Sequence, residues 1–401
     1  MTVTTPTRDR YDAIVVGARC AGAATAMLLA RQGVRVLALE RTRYGSDALS
    51  THALMRAGVL QLRRWGVLDA VIAAGTPPVR TTSFTYGDET TALSIKPRDG
   101  VDALYAPRRT VLDVILQDEA ARSGAEVAFG LRVVDVTRNA KGSVCGVAVE
   151  RADGSLTNLA ADVVIGADGL NSTVARAVGA EIEHAGEHAT GVVYGYFPGF
   201  ALDGYHWYWR PGVCVGVVPT NDGDACIFVA VHGDRFRAEI RSDTVGGFRR
   251  VLAECAPEVA ATVAATPRAG TLKAFAGARG FLRRSWGAGW ALVGDAGYFK
   301  DPITAHGITD ALRDAELLAR TLVQGSPEAL ADYQASRDDL ARGFLAMTDR
   351  IASFEWTLEE LAAIHVALNK EMKRDEAALL ALGPAPARAA TAPAPREARG
   401  T

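Results

Sequence analysis

Residues 12–40 constrain the fold more than any other stretch of this chain. Asp12-Ala-Ile-Val-Val16 is an apolar run suited to a buried parallel strand. It enters Gly17-Ala18-Arg19-Cys20-Ala21-Gly22, and a helix follows through Met27, Leu28 and Leu29 to Gly33. Val34 to Leu39 then form a second strand that ends on Glu40. Strand, glycine turn, helix, strand and acid, in that order, define a dinucleotide-binding βαβ unit. Gly17 permits the tight turn, and Gly22 lets the helix pack closely on the strand. The helix N-terminus turns its free N–H groups towards a pyrophosphate. Glu40 is placed to accept hydrogen bonds from a ribose, with Arg41 beside it. Arg19 stands where the middle glycine of the fingerprint belongs and adds a positive side chain near the diphosphate. A glycine-bearing strand turn with no ligand is the plainer alternative. The surrounding strands, helix and acid weigh against it.

Composition narrows the setting. The 401 residues are 49% hydrophobic and 22% charged, which is globular. A net charge of -2 argues against a nucleic-acid binder, whose affinity rests on neutralising phosphates. The basic pairs Arg63-Arg64, Arg108-Arg109, Arg249-Arg250 and Arg283-Arg284 are scattered and read as solvated surface. Cys20, Cys145, Cys214, Cys226 and Cys255 are odd in number and contain no C-x-x-C, so reduced thiols are expected, with neither a disulfide frame nor a metal site. The first apolar stretch begins after Tyr11 and is broken by Arg19, unlike a signal peptide. No uncharged run is long enough for a membrane span, so a cytoplasmic location is expected.

Further along, Leu131–Val136, Ser143–Glu150 and Leu156–Leu159 read as a β-meander with Asn-Ala-Lys-Gly and Ala-Asp-Gly turns. From about Gly191 to Ala230 the chain alternates with period two and is rich in aromatics and valine. After Gly307, Ile308, Ala311, Leu312, Ala315, Ala319 and Leu322 mark one helical face, and further helices are expected up to Leu382.

Two later segments decide which dinucleotide. Val163-Val-Ile-Gly-Ala-Asp168-Gly169 is a strand running into an Asp-Gly turn. Gly289-Trp-Ala-Leu-Val-Gly294-Asp295-Ala296 precedes Asp301-Pro302, Gly307 and a long helix. With the N-terminal unit, these resemble the three sequence marks of the para-hydroxybenzoate hydroxylase fold. That superfamily holds single-component flavoprotein monooxygenases, geranylgeranyl-reductase-like enzymes and flavin-dependent halogenases. The resemblance runs from about Tyr11 to Leu322. It implies FAD, with Glu40 on the adenosine ribose and Arg109, within Arg109-Thr-Val-Leu-Asp113, closing over the cofactor. It places Asp168-Gly169 near the pyrophosphate, and Gly294-Asp295 at the ribityl chain. Pro302, Gly307 and Ile308 would then lie beside the flavin ring. A plain turn at Asp168-Gly169 and a helix cap at Asp295 are the alternatives. A glycine opening an amphipathic helix also suits negative charge on a reduced flavin.

The implied architecture is α/β. A Rossmann-type FAD-binding domain (10–80, 101–182 and 285–325) interleaves with an antiparallel β-sheet substrate domain (81–100 and 183–284). A helical C-terminal region (326–382) and a disordered tail (383–401) follow. Ser46-Asp-Ala-Leu-Ser-Thr-His52 and Gly294-Asp-Ala-Gly-Tyr-Phe-Lys300 resemble FAD oxidoreductases grouped near the geranylgeranyl reductases. Gly297 stands where the phenol hydroxylases carry a histidine.

On the substrate side, Tyr205, Trp207 and Trp209 share one face of a strand, and Tyr194 and Tyr196 form a neighbouring aromatic row. These residues suit either the wall of a pocket for a flat or apolar substrate, or an aromatic sheet core. His52 and His306 are the candidate catalytic histidines, the first to orient substrate or move a proton. His206 and Arg210 are further candidates.

The leading functional expectation is an FAD-dependent monooxygenase. It would hydroxylate or epoxidise a small metabolite with O2, NADH or NADPH binding transiently because no second glycine-rich unit is present. A flavin-dependent reductase of carbon–carbon double bonds is the alternative, and a non-catalytic flavin-containing binding protein a third. Trp207-Tyr-Trp209-Arg-Pro211 falls one residue short of the halogenase Trp-x-Trp-x-Ile-Pro pattern, and 60–94 contains no lysine. A monomer or homodimer is expected.

Overall fold

The computed structural model describes residues 6–383 apart from 152, 267 and 268. The tail expected to be disordered therefore lies, from 384 onward, outside the described residues. Among the described residues the strands form three sheets.

The first is built on parallel pairs. Arg10–Val16 lies between Val36–Glu40 and Leu156–Gly166, flanked outward by Glu126–Phe129 and Trp290–Leu292. Strand order reverses at Arg10–Val16, the switch point where open α/β sheets bind ligands beyond the carboxyl ends of their strands. The register makes those ends coincide. Val16 pairs with both Leu39 and Gly166, and Gly166 with Leu292. Gly17, Glu40, Ala167 and Val293 thus leave the sheet along one edge.

The expected meander is present, with one difference. Leu156–Leu159 and Val163–Ile165 belong to a single strand of 11 residues. Its first half pairs antiparallel with Val144–Glu150, and its remainder pairs parallel with Arg10–Val16 and Trp290–Leu292. The apparent break at Ala160-Ala161-Asp162 is a change of partner.

The second sheet runs in the order Ala269–Phe275, Thr190–Pro198, Asp224–His232, Val213–Pro219, Gly204–Arg210, Thr81–Tyr86, Glu89–Ser94. Val193, Val215, Ile227 and Val229 pack one face against the helices Thr244–Cys255 and Pro257–Ala265. Tyr194, Tyr196, Tyr205, Trp207 and Trp209 bury the opposite face in the main core. The two aromatic rows are not neighbours, however. Two strands separate Thr190–Pro198 from Gly204–Arg210, a distance of about 14 Å. Consecutive strands need not be adjacent when a later hairpin inserts between them.

The third sheet joins Tyr298–Phe299, Phe281–Arg283 and Ile182–Ala185. After it come the helices Gly307–Gln324, Pro327–Ala352 and Leu358–Ala381. The last starts with a capping box, in which Thr357 and Glu360 satisfy each other's backbone amides. It lies against the aromatic sheet. Trp209 meets Trp356 and His365 (ring centroids 5.9 and 5.0 Å), and Nδ1 of His365 lies 2.7 Å from the Tyr86 hydroxyl. Among the described residues no helix is long and apolar enough to cross a membrane.

Candidate FAD site and active centre

The first helix, Cys20–Arg31, meets its strand as its glycines require. Gly17 has φ +96°, and a Cβ on Gly22 would stand 1.8 Å from the Gly17 carbonyl oxygen. Only a glycine lets the helix approach this closely. No side chain caps that helix, and the amides of Cys20, Ala21 and Gly22 have no protein partner among the described residues. The helices beginning after Ser172, Asp243, Ser326 and Thr357 do carry side-chain caps. An uncapped N-terminus over the switch point is a place for an anion.

Glu40 is buried at the end of the second strand. It accepts from the Ala18 amide (3.0 Å), the Thr42 amide (2.9 Å) and the Thr42 hydroxyl (2.8 Å), which orient its carboxylate at the edge. Arg41 follows it, exposed. Arg19 reaches over the turn to the carbonyls of Ser46 and Asp47 (3.4 and 3.2 Å) and to Asp113 (3.3 Å). Arg109 opens the helix Arg109–Arg122 and also holds Asp113, through Nε at 3.0 Å. Cys20 donates its thiol to the same carboxylate (3.0 Å). Asp113 is therefore the anchor that fixes both arginines, and the Arg109/Asp113 spacing of four residues was the sequence signal for it. The pair Arg108-Arg109 is not solvated surface. Arg108 pairs with Asp224 and stacks 4.1 Å above the Tyr196 ring. Arg108 is the non-helical residue before the helix and Arg109 its first helical residue, so adjacency in sequence did not imply one environment.

Asp168 caps the short helix Thr173–Ala177, accepting from the Ser172 hydroxyl and the Thr173 amide (2.6 Å). Gly169 takes φ +78° next to it. The pair adjoins the glycine turn, since a Cβ on Gly17 would lie 3.1 Å from the Asp168 Cα. Gly294 (φ +59°) faces the first helix, where a Cβ would stand 2.8 Å from that of Ala21. Asp295 is partly buried, and its carboxylate accepts no hydrogen bond among the described residues. Burial pushes its pKa up to about 6, against the pull of Arg109.

Pro302 opens a turn capped by Asp301, which also takes the Thr190 amide (2.6 Å) and so ties the aromatic strand to this end of the site. Ala305 sits in the left-handed region (φ 54°) and turns the chain into the Gly307 helix. That helix is uncapped, and the amides of Gly307, Ile308 and Thr309 have no protein partner among the described residues. Gly307 is exposed, and a Cβ there would meet no atom within 4 Å.

Both histidines are buried and neutral. Nδ1 of His52 lies 3.1 Å from the Ala106 carbonyl and so carries the proton, leaving Nε2 buried without a partner. Burial, with help from Arg108 and Arg109, pushes its pKa down to about 3. Its ring stacks on Tyr196 (5.7 Å), and its backbone has φ 46°. His306 repeats the pattern, with Nδ1 2.6 Å from the Thr304 carbonyl, Nε2 unpartnered, and a pKa pushed down to about 3 by burial and Lys300. Tyr194 donates to the Ala48 carbonyl (3.4 Å) and accepts the Ser50 amide (3.0 Å), holding the loop before His52 against the sheet. Tyr205 and Trp207 pack edge to face (6.2 Å), and Trp207 donates Nε1 to Thr82 (3.2 Å). Trp209 lies further out under Trp356 and His365. His206 and Arg210 sit on the other face, on Ser83 and Asp88.

An extended dinucleotide fits this edge. Two uncapped helices flank it, Asp295 offers an unused carboxylate, and Gly307 leaves room for a planar group. The fold and site define an FAD-binding oxidoreductase. The family of the FAD binding domain matches residues 10–348, and the chain belongs to it. It is 27% identical to the digeranylgeranylglycerophospholipid reductase of Methanothrix thermoacetophila over 350 residues, 85% of this chain and 83% of that protein. Its fold is that of the flavin-dependent brominase Bmp2 (TM-score 0.77, 17% identity, covering 92% of this chain and 93% of that one). PqsL of Pseudomonas aeruginosa, a probable FAD-dependent monooxygenase, superposes with TM-score 0.74 at 23% identity, covering 89% of this chain and 99% of that one. The protein is an FAD-dependent oxidoreductase.

Proposed function

We propose that this oxidoreductase is a monooxygenase that hydroxylates or epoxidises a small aromatic or polycyclic metabolite, with O2 as oxidant and NADH or NADPH as a transient reductant. Bound FAD supplies the two-electron redox chemistry. The chain's own residues bind and orient it: the Cys20–Gly22 amides, Arg19 and Arg109 at the diphosphate, Glu40 at the ribose, Asp295 at the ribityl chain, and Pro302 and the Gly307 and Ile308 amides at the ring. Asp168-Gly169 shapes the turn beside the diphosphate.

The observation that carries this reading is a buried aromatic face whose phenols and imidazole are uncharged, with the cations above it, Arg108 and Lys273, each paired with an aspartate. Burial pushes the Tyr194 and Tyr196 hydroxyls well above the ordinary tyrosine range, and both histidines are held uncharged. Such a wall excludes water and holds a flat substrate, which is most of what oxygen transfer asks of the protein. Saturating a carbon–carbon double bond also requires an acid to protonate the second carbon. Buried phenols and neutral imidazoles are poor acids. A double-bond reductase is the second reading, supported by the relative from Methanothrix thermoacetophila, whose name is that of a reductase.

The test is turnover of an aromatic and polyketide panel with NADPH under 18O2. Incorporation of label into product supports the monooxygenase. Saturated product formed without oxygen selects the reductase and overturns the first reading.

A further inference from the structure

Behind the Gly307 amides lies a buried chain of charges that the reaction above does not use. Lys300 pairs with Asp310 in the first turn of the Gly307 helix. Asp310 also pairs with Arg313 (3.3 Å), which reaches Asp314 (2.8 Å) and, on the last helix, Asp375 (3.2 Å). Exposure is 5% for Lys300, 4% for Asp310, 0% for Arg313 and Asp314, and 3% for Asp375. Lys300 also lies 4.3 Å over the Phe344 ring, against which His306 packs at 4.6 Å.

Two features make a purely structural role a poor account. Buried ion pairs rarely add net stability over apolar residues of similar volume. The pair is also placed at the end of the helix where Gly307 is exposed and leaves open space. Asp310 is the fourth residue of that helix, so its Cα lies about 4.5 Å along the axis from Gly307. Buried charges this close to the N-terminal amides are weakly screened. A flavin that has accepted a hydride from NAD(P)H carries one more negative charge than the oxidised ring, so a nearby cation favours reduction and an anion opposes it.

We propose that Lys300 and Asp310 are positioning residues that set the reduction potential of the flavin through the Gly307 helix end, Lys300 raising it and Asp310 lowering it. This rests on the reading that places the ring beside Gly307.

The experiment compares the potential of bound FAD, by anaerobic dye equilibration, in Lys300→Met, Asp310→Asn and the double variant. Lys300→Met is expected to lower the potential by about 30 mV, a tenfold change in a two-electron equilibrium. Asp310→Asn is expected to raise it by about the same, and the double variant to return close to the parent. Should Lys300→Met fail to fold with Asp310 left on Arg313 alone, Asp310→Asn and the double variant still report sign and cancellation. A merely structural pair would leave all potentials unchanged or move them the same way, and either result overturns the proposal. FAD affinity of a Gly307→Ala variant separates the two layers. If that affinity is unaltered, the placement of the ring is wrong. If it falls while the potentials stay fixed, only the charge proposal is lost.

Discussion

Gly307 and Gly22 make opposite predictions for the same substitution. At Gly22 an added Cβ collides with protein backbone, 1.8 Å from the Gly17 oxygen, so Gly22→Ala must push the first helix off its strand. Overpacking of this kind costs about 1–3 kcal/mol or more, and the loss appears in the apoprotein. At Gly307 the added methyl meets no protein atom within 4 Å. Its backbone is not in the left-handed region, so alanine is expected to stabilise the apoprotein by about 0.4–1 kcal/mol, roughly one degree or less in Tm. FAD binding should behave in the reverse sense. If the methyl displaces the neutral oxidised ring from one N–H contact, about 0.5–1.5 kcal/mol is lost. That is about a twofold to tenfold rise in Kd. The assay is thermal unfolding of the apoprotein together with quenching of FAD fluorescence on titration. A Gly307→Ala variant that binds FAD as tightly as the parent would refute the placement of the ring. One with a lowered Tm would show that the glycine is kept for the fold.

Three other outcomes follow from the same geometry. Burial raises the Asp295 carboxyl to about 6 from an unfolded value of 3.8, so the folded state binds the extra proton and its stability falls as pH rises from about 4 to 6. Asp295→Asn should therefore stabilise the apoprotein at pH 7.5 by about 3 kcal/mol in urea unfolding, with the gap closing towards pH 4, while weakening FAD binding. Because burial pushes the His52 pKa down to about 3, the ratio of kcat/KM between the parent and His52→Asn should stay flat from pH 5.5 to 9; a limb near 6.5 confined to the parent would show that the imidazole charges during turnover. Trp209→Ala should cost about 3–5 kcal/mol of stability, since the side chain is packed under Trp356 and His365, and should change KM little. A large KM effect with unchanged Tm would instead make Trp209 a substrate wall.

What could be read directly from the chain was whatever neighbouring residues encode. Gly17, Gly22 and Glu40 announce the βαβ unit because turn, close packing and acid lie within one 29-residue stretch, and the meander and the alternating strands are visible for the same reason. Arg109 was singled out only through the family resemblance, although its ion pair with Asp113 follows a four-residue helical spacing. Tertiary structure decided the rest. It put two strands between Tyr196 and Tyr205, brought Arg108 over Tyr196, made His52 and His306 neutral by burying them, and laid Asp375 on Arg313. Those relations depend on which surfaces the packed elements bring together across many residues and on how much water they expel. A local pattern records a residue's own conformational preference, but neither its distant partners nor the dielectric in which its charge must exist.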